Sequence, residues 1–165
     1  MVMNTHPRNR TKAISHTRVT TLVADDSPFM LKILTQIVEA AGDFDLVGTA
    51  TNGCQALRYV SMLSPNLVLM DIHMPGLNGI QVTRSIKQSE HPPVVILTSS
   101  DDSSVTKTTA EQAGADAFVS KVGNLRCQLM GALQNLFGPR GEKRETVGIS
   151  FQNRLAGYSK QEHRT

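Results

Sequence analysis

Between residues 21 and 137, short apolar runs alternate with stretches whose apolar residues recur at helical spacing, and the alternation repeats five times. Strand-like runs separated by helical patterns mark βα units on a parallel sheet, so the pattern predicts an α/β domain. TTLVA, the segment 44–50, LVLMD, VVILT and AFVS read as its strands. Behind Asp26 and Ser27, Pro28 suits a first helical turn, and Met30, Ile33, Leu34, Ile37, Val38 and Ala41 follow at helical spacing until Gly42. A second helix is predicted over 52–63, stopped by Ser64 and Pro65, and a third over 78–88, closed off by Pro92 and Pro93. Val122, Leu125, Leu129, Leu133 and Leu136 mark the fifth, which Gly138 and Pro139 end.

The fourth helix, 103–113, differs in kind. Val105 is its only large aliphatic residue, so it has little with which to grip a sheet and is expected to be weakly anchored and easy to shift. Beyond Pro139 about 26 residues remain, too few to bury a second core. Ile149, Phe151, Leu155 and Tyr158 lie there among Gly, Lys and Glu, a composition that reads as a mobile tail.

Composition narrows the class. A chain of 165 residues with 39% apolar content can bury one full core, and with only 4% aromatics that core must be largely aliphatic. No apolar run reaches the roughly 18–20 residues of a membrane span, and the first 20 residues hold nothing like a signal peptide, so a soluble cytoplasmic protein is expected. Cys54 and Cys127 have no metal or C-x-x-C spacing around them and read as free thiols in a reducing compartment. Charge is uneven: residues 1–20 carry +4, residues 138–165 carry +3 and the middle carries −4. Basic, polar ends read as solvated extensions, not as a nucleic-acid surface. The acid-free N-terminus has the composition of a transit peptide but lacks an apolar helical face.

Chemistry concentrates at the strand ends. The first strand stops at Asp25 and Asp26, the third at Asp71, the fourth at Thr98 and the fifth at Lys121. In open α/β sheets ligands bind outside the carboxyl ends of the strands, so these side chains should converge. Three carboxylates packed together oppose one another's ionisation, and a divalent cation removes that cost. Carboxylate oxygens with retained water are the hard ligand set that Mg²⁺ prefers. Lys121 would neutralise one oxygen of a phosphoryl group while the Thr98 hydroxyl donates to another. Asp71 is left as the nucleophile, and a carboxylate attacking phosphorus gives an acyl phosphate. Each residue alone has a plain structural reading: an Asp before Ser-Pro is often a helix N-cap, a strand-end Thr is a β-former, and a loop Lys is solvated. None of those readings explains why all fall on one edge of one sheet.

The acidic pair Asp25 and Asp26, the motif DIHMPGLNG beginning at Asp71, Thr98, Phe118 and Lys121 together resemble the receiver domains of two-component response regulators, over about 117 residues from Thr21 to Phe137. The resemblance implies a flavodoxin-like, doubly wound (βα)5 fold with a five-stranded parallel sheet in the order 2-1-3-4-5. It implies Mg²⁺ held by Asp26, Asp71 and the backbone carbonyl of His73, with Asp25 acting directly or through water. It implies that Asp71 takes a phosphoryl group from a phosphohistidine on a sensor histidine kinase or a histidine phosphotransfer protein. Thr98 and Phe118 resemble the switch pair, and residues 103–137 the face that docks a downstream protein. The His73 side chain and Ser100 resemble positions that tune phosphate lifetime. Met74 and Pro75 are expected to shape the loop, and Gly76 and Gly79 to give it backbone freedom. One departure stands out: the family lysine is usually followed by Pro in a cis peptide, and Val122 stands there instead, where a cis bond costs about 2.5–4 kcal/mol.

The resulting expectation is a stand-alone regulator, with a basic extension over 1–20, a receiver over 21–137 and a polar tail over 138–165 without an output domain. It signals by protein contact and is not a turnover enzyme. Its alternatives are a phosphorelay intermediate and a phosphate-independent interaction module. A haloacid-dehalogenase-like phosphatase also uses a strand-end Asp and Mg²⁺, but it calls for D-x-D, and His73 occupies the second acidic position.

Overall fold

The computed structural model describes residues 18–138. Five strands, β1 (Val19–Ala24), β2 (Phe44–Ala50), β3 (Leu67–Asp71), β4 (Val94–Ser99) and β5 (Ala117–Ser120), alternate with helices α1 (Pro28–Ala40), α2 (Gly53–Leu63), α3 (Gly79–Ile86), α4 (Ser104–Gln112) and α5 (Leu125–Phe137). All neighbouring strands pair in parallel, in the order β2-β1-β3-β4-β5, which is the flavodoxin-like arrangement the sequence predicts. Strand β1 takes in Val19 and Thr20 ahead of the predicted run, and the exposed Arg18 before it donates to the Gly42 and Phe44 carbonyls and pairs with Asp45. Ile149, Phe151, Leu155 and Tyr158 of the expected tail, and both predicted terminal extensions apart from Arg18, Val19, Thr20 and Gly138, lie outside the described residues.

Side chains alternate across a strand, so each buried strand feeds two cores. Leu67 and Leu69 of β3 face one side with Val23, Ile96 and Val119, and there Leu34, Ile37 and Val38 of α1 and Leu129, Leu133 and Leu136 of α5 cover them. Val68 and Met70 face the other side with Leu22, Val95, Leu97 and Phe118, under α2, α3 and α4. Phe44 and Phe137 meet edge to face at 5.5 Å. Each fully buried Leu contributes about 1.5–3 kcal/mol, so α1 and α5 are held chiefly by their apolar stripes.

The predicted contrast at α4 holds, and it is sharper than expected. Ala110 is its only buried residue, and Val105, the lone large aliphatic, is 73% exposed.

Helix starts follow local chemistry. The side chains of Ser27, Asn52, Asn78, Ser103 and Asn124 each accept a backbone N–H from the first turn of the helix that follows, which satisfies a donor the helix itself cannot. At α3 the cap is reciprocal, because the Gln81 side chain also accepts the Asn78 N–H.

Candidate functional site

The parallel register puts the expected residues on one edge. Asp71 and Thr98 are directly paired across β3 and β4, Thr98 pairs onward with Val119 two residues before Lys121, and Asp25 follows the last paired residue of β1. Asp25, Asp26 and Asp71 offer carboxylate oxygens within 4.8 Å of one another, Asp25 and Asp71 buried and Asp26 exposed at the mouth. Lys121 reaches in from beyond β5, its Nζ 2.6 Å from Asp25 Oδ2 and 2.7 Å from Asp71 Oδ1, with 11% of its side chain in solvent. The peptides of the described residues are all trans, Lys121–Val122 included, so the ammonium arrives without a cis bond.

Asp25 is doubly held, since its Oδ1 accepts the Ser27 N–H at 3.0 Å. Asp71 Oδ2 accepts the His73 N–H at 2.9 Å. Burial pushes the Asp71 carboxyl above its ordinary value, and this outweighs the Lys121 hydrogen bond and charge, which pull it down. Burial alone would lower the Lys121 ammonium, but its bonds to Asp25 and Asp71 win and raise it, so it stays charged at neutral pH.

Thr98 is fully buried and its Oγ1 has no hydrogen-bond partner. A buried hydroxyl left unsatisfied is costly, and this one lies on the residue paired with Asp71 across the sheet. Three carboxylates against one ammonium leave an excess of two negative charges when all are ionised. Oxygen-only donors, the excess charge and the open side at Asp26 fit Mg²⁺, which keeps water in its shell. Phe118 is 2% exposed, so its ring already lies inward, and Lys107 of α4 sits over it with Nζ 5.9 Å from the centroid.

The two glycines of the loop act differently. Gly76 has a φ of +76°, a left-handed turn that favours glycine. Gly79 was expected to supply freedom of the same kind, but its φ is ordinary and its role is close approach: a Cβ there would stand 2.2 Å from the Asp71 carbonyl oxygen. Met74 is buried and pins the loop to the core, while His73 is exposed, its Nδ1 3.4 Å from Ser99 Oγ. Cys54 and Cys127 are exposed and unbridged, as expected.

Sequence reasoning passed over Ser99 and Asp101. Ser99 Oγ accepts the Asp101 N–H at 3.0 Å, and Asp101 in turn accepts from the Thr106 hydroxyl and the Ser103 N–H. Those bonds, the Thr106 one foremost, hold the Asp101 carboxyl below the usual range. The only available signal was the run DDSS ahead of a helix, which marks a cap and not a site.

A doubly wound parallel sheet that gathers three carboxylates and a lysine beyond its carboxyl edge defines an α/β domain whose polar groups stand where such sheets hold ligands. More specifically, the chain belongs to the response regulator receiver domain family, whose model matches residues 21–132. It is 33% identical over 117 residues to the protein-glutamate methylesterase/protein-glutamine glutaminase of Halobacterium salinarum, covering 70% of this chain and 33% of that relative. It is 41% identical over 101 residues to protein-glutamate methylesterase/protein-glutamine glutaminase 5 of Myxococcus xanthus, covering 61% and 29%. The chain thus spans about a third of the length of these curated relatives. Among solved structures it is similar to the response regulator domain of Thermotoga maritima CheB, with 31% identity, a TM-score of 0.63 and coverage of 72% and 92%. It is also similar to a chain of the CheX–CheY–BeF3–Mg²⁺ complex from Borrelia burgdorferi, with 27% identity, a TM-score of 0.65 and coverage of 72% and 89%. No helix among the described residues is long and apolar enough to cross a membrane.

Proposed function

We propose that this chain is a phosphoryl-accepting regulator in which Asp71 takes the phosphoryl group of a phosphohistidine on a sensor histidine kinase or a histidine phosphotransfer protein. The observation that carries the reading is the arrangement around Asp71: a buried nucleophile touched by Lys121, paired across the sheet with a partnerless Thr98 hydroxyl, and set beside two further carboxylates. Asp71 attacks phosphorus through a carboxylate oxygen, a P–O bond forms, and the P–N bond of the donor breaks with its electron pair returning to the imidazole nitrogen. Lys121 and Thr98 take up charge on the transferring oxygens. Asp25, Asp26, Asp71 and the His73 carbonyl would hold Mg²⁺, which when bound offsets the repulsion between the carboxylate and the incoming phosphoryl group.

Signalling follows from whichever conformation the acyl phosphate favours. Thr98 and Phe118 are the switch pair in this reading, and the α4–β5–α5 face, residues 103–137, is the docking surface for a downstream protein. The chain acts by contact, in the cytoplasm, without turnover chemistry of its own.

Intact mass after incubation with Mg²⁺ and acetyl phosphate tests the reading. One added phosphoryl group is expected, lost with EDTA and absent from Asp71→Asn. If neither acetyl phosphate nor a phosphorylated histidine donor adds mass, the fold serves as a phosphate-independent interaction module.

A further inference from the structure

Lys121 stands on a loop that has little of its own to fix it. Residues 121–124, Lys-Val-Gly-Asn, join β5 to α5 and contain no proline. Gly123 has a φ of +82°, and the Val122 side chain is 56% exposed, so no apolar side chain seats the loop. The last backbone tie to the sheet is the Lys121 N–H itself, which donates to the Ser99 carbonyl at 2.8 Å.

A side chain from the next helix takes over from there. Gln128, in the first turn of α5, spans the loop with both ends of its amide. Its Oε1 accepts the Ser120 N–H at 3.2 Å, and its Nε2 donates to the Val122 carbonyl at 3.0 Å. The pattern calls for an amide, which accepts at one end and donates at the other. The Ser120 hydroxyl adds an inner bond by accepting the Val122 N–H at 3.1 Å. The two residues that flank Lys121 are thus fastened to each other and to a helix, and that helix is firmly based, with Leu129, Leu133 and Leu136 buried in the core. The ion pairs of Lys121 cannot fix it alone. Its partners are Asp25 at 2.6 Å and Asp71 at 2.7 Å, and in the proposed reaction Asp71 is esterified while Asp25 would hold Mg²⁺.

We propose that Gln128 and Ser120 are positioning residues that hold the Lys121 ammonium beside Asp71 while the phosphoryl group is transferred. The inference rests on Asp71 being the phosphoacceptor. Neither residue touches the reacting atoms; each acts on the backbone on either side of Lys121. A group that stabilises developing charge is worth most when its place is fixed beforehand, so the clamp enters the rate of transfer as well as the fold.

Gln128→Met keeps the length of the side chain and removes both of its bonds. Acetylation of the metal-free full chain with an N-hydroxysuccinimide ester, followed by peptide mass, reads the freedom of each lysine. Lys121, with 11% of its side chain in solvent, is expected to react about tenfold faster in the variant, the size of one to two lost hydrogen bonds in an equilibrium. Lys87 is the internal control, because it too is part-buried and paired, with Asp116, at the opposite edge of the sheet. An unchanged Lys121 overturns the clamp, and so does a rise that Lys87 shares, the mark of a general loosening. Phosphoryl uptake from acetyl phosphate and Mg²⁺, followed as intact mass over time, is expected to slow about tenfold to a hundredfold in Gln128→Met. Uptake at the native rate overturns the positioning role even where Lys121 is freed. Ser120→Ala removes one bond of the three and should slow uptake by less, and a native rate there overturns the part given to Ser120. A native chain that takes no phosphoryl group overturns the proposed function and the role in transfer together. The acetylation contrast needs no donor, so its failure in a chain that does take the group overturns this inference alone.

Discussion

Lys121 and Asp71 balance in opposite senses, and the signs have consequences. The folded state raises the Asp71 carboxyl chiefly by burial, so its contribution to stability is present below the ordinary value of 3.8 and is lost as pH rises through the raised value. At neutral pH the ionised carboxylate is therefore a cost the fold bears for the site. Metal-free Asp71→Asn is expected to melt higher than the native chain at pH 7, with a gain of about 1 kcal/mol reading as roughly 4 °C, and the difference should close below pH 3.8. A variant that melts lower at pH 7 would show that the ion pair, not burial, governs the residue. Lys121 works the other way: its raised value gives stability that is complete below 10.5 and lost only in alkali.

Among the elements, α4 is set apart by what it lacks. Helices α1 and α5 bury Leu34, Ile37, Val38, Leu129, Leu133 and Leu136, whereas α4 buries one alanine and is tied by polar contacts from Asp101 and by Lys107 over Phe118. Local opening tracks buried apolar contact, so α4 belongs to the low-stability end of the fold. Its amides are expected to exchange at least about tenfold faster than those of α1 in the unphosphorylated chain, measured by native-state exchange. Equal protection in the two helices would remove the physical basis for treating α4 as the movable element. A helix held by few and polar contacts is one whose equilibrium a single phosphoryl group can shift.

For the whole molecule, the two cores and the site are in tension. Both faces of the sheet are closed by aliphatic layers, while its carboxyl edge concentrates Asp25, Asp26 and Asp71. A cation that binds only the folded chain stabilises it by mass action, by about 2.7 kcal/mol at a hundredfold excess over Kd. Thermal melting with rising Mg²⁺ should therefore show an increase of several degrees in the native chain and a much smaller one in Asp71→Asn. An equal response in both would place Mg²⁺ elsewhere.

Much was legible in the chain because the signals are local. Continuous apolar strand runs, period-3.6 helices and caps such as Ser27 and Asn78 depend on near neighbours, and strand ends follow from them, so Asp25, Asp71, Thr98 and Lys121 could be placed on one edge. Even the weak grip of α4 could be read, from the absence of aliphatic residues. What the local pattern could not decide is which groups meet across distant loops. Lys121 bridges Asp25 over 96 positions and His73 meets Ser99 over 26, while Gly79 is needed because a helix start closes on the Asp71 carbonyl. The trans peptide before Val122, the exposure of Val105 and the partnerless Thr98 hydroxyl belong to the same class. The sequence by itself determined the elements, their order and the cast of the site, because periodicity and turn chemistry act over a few residues. Only the tertiary structure decided the pairings, since these depend on how packed layers bring separate loops within hydrogen-bond reach.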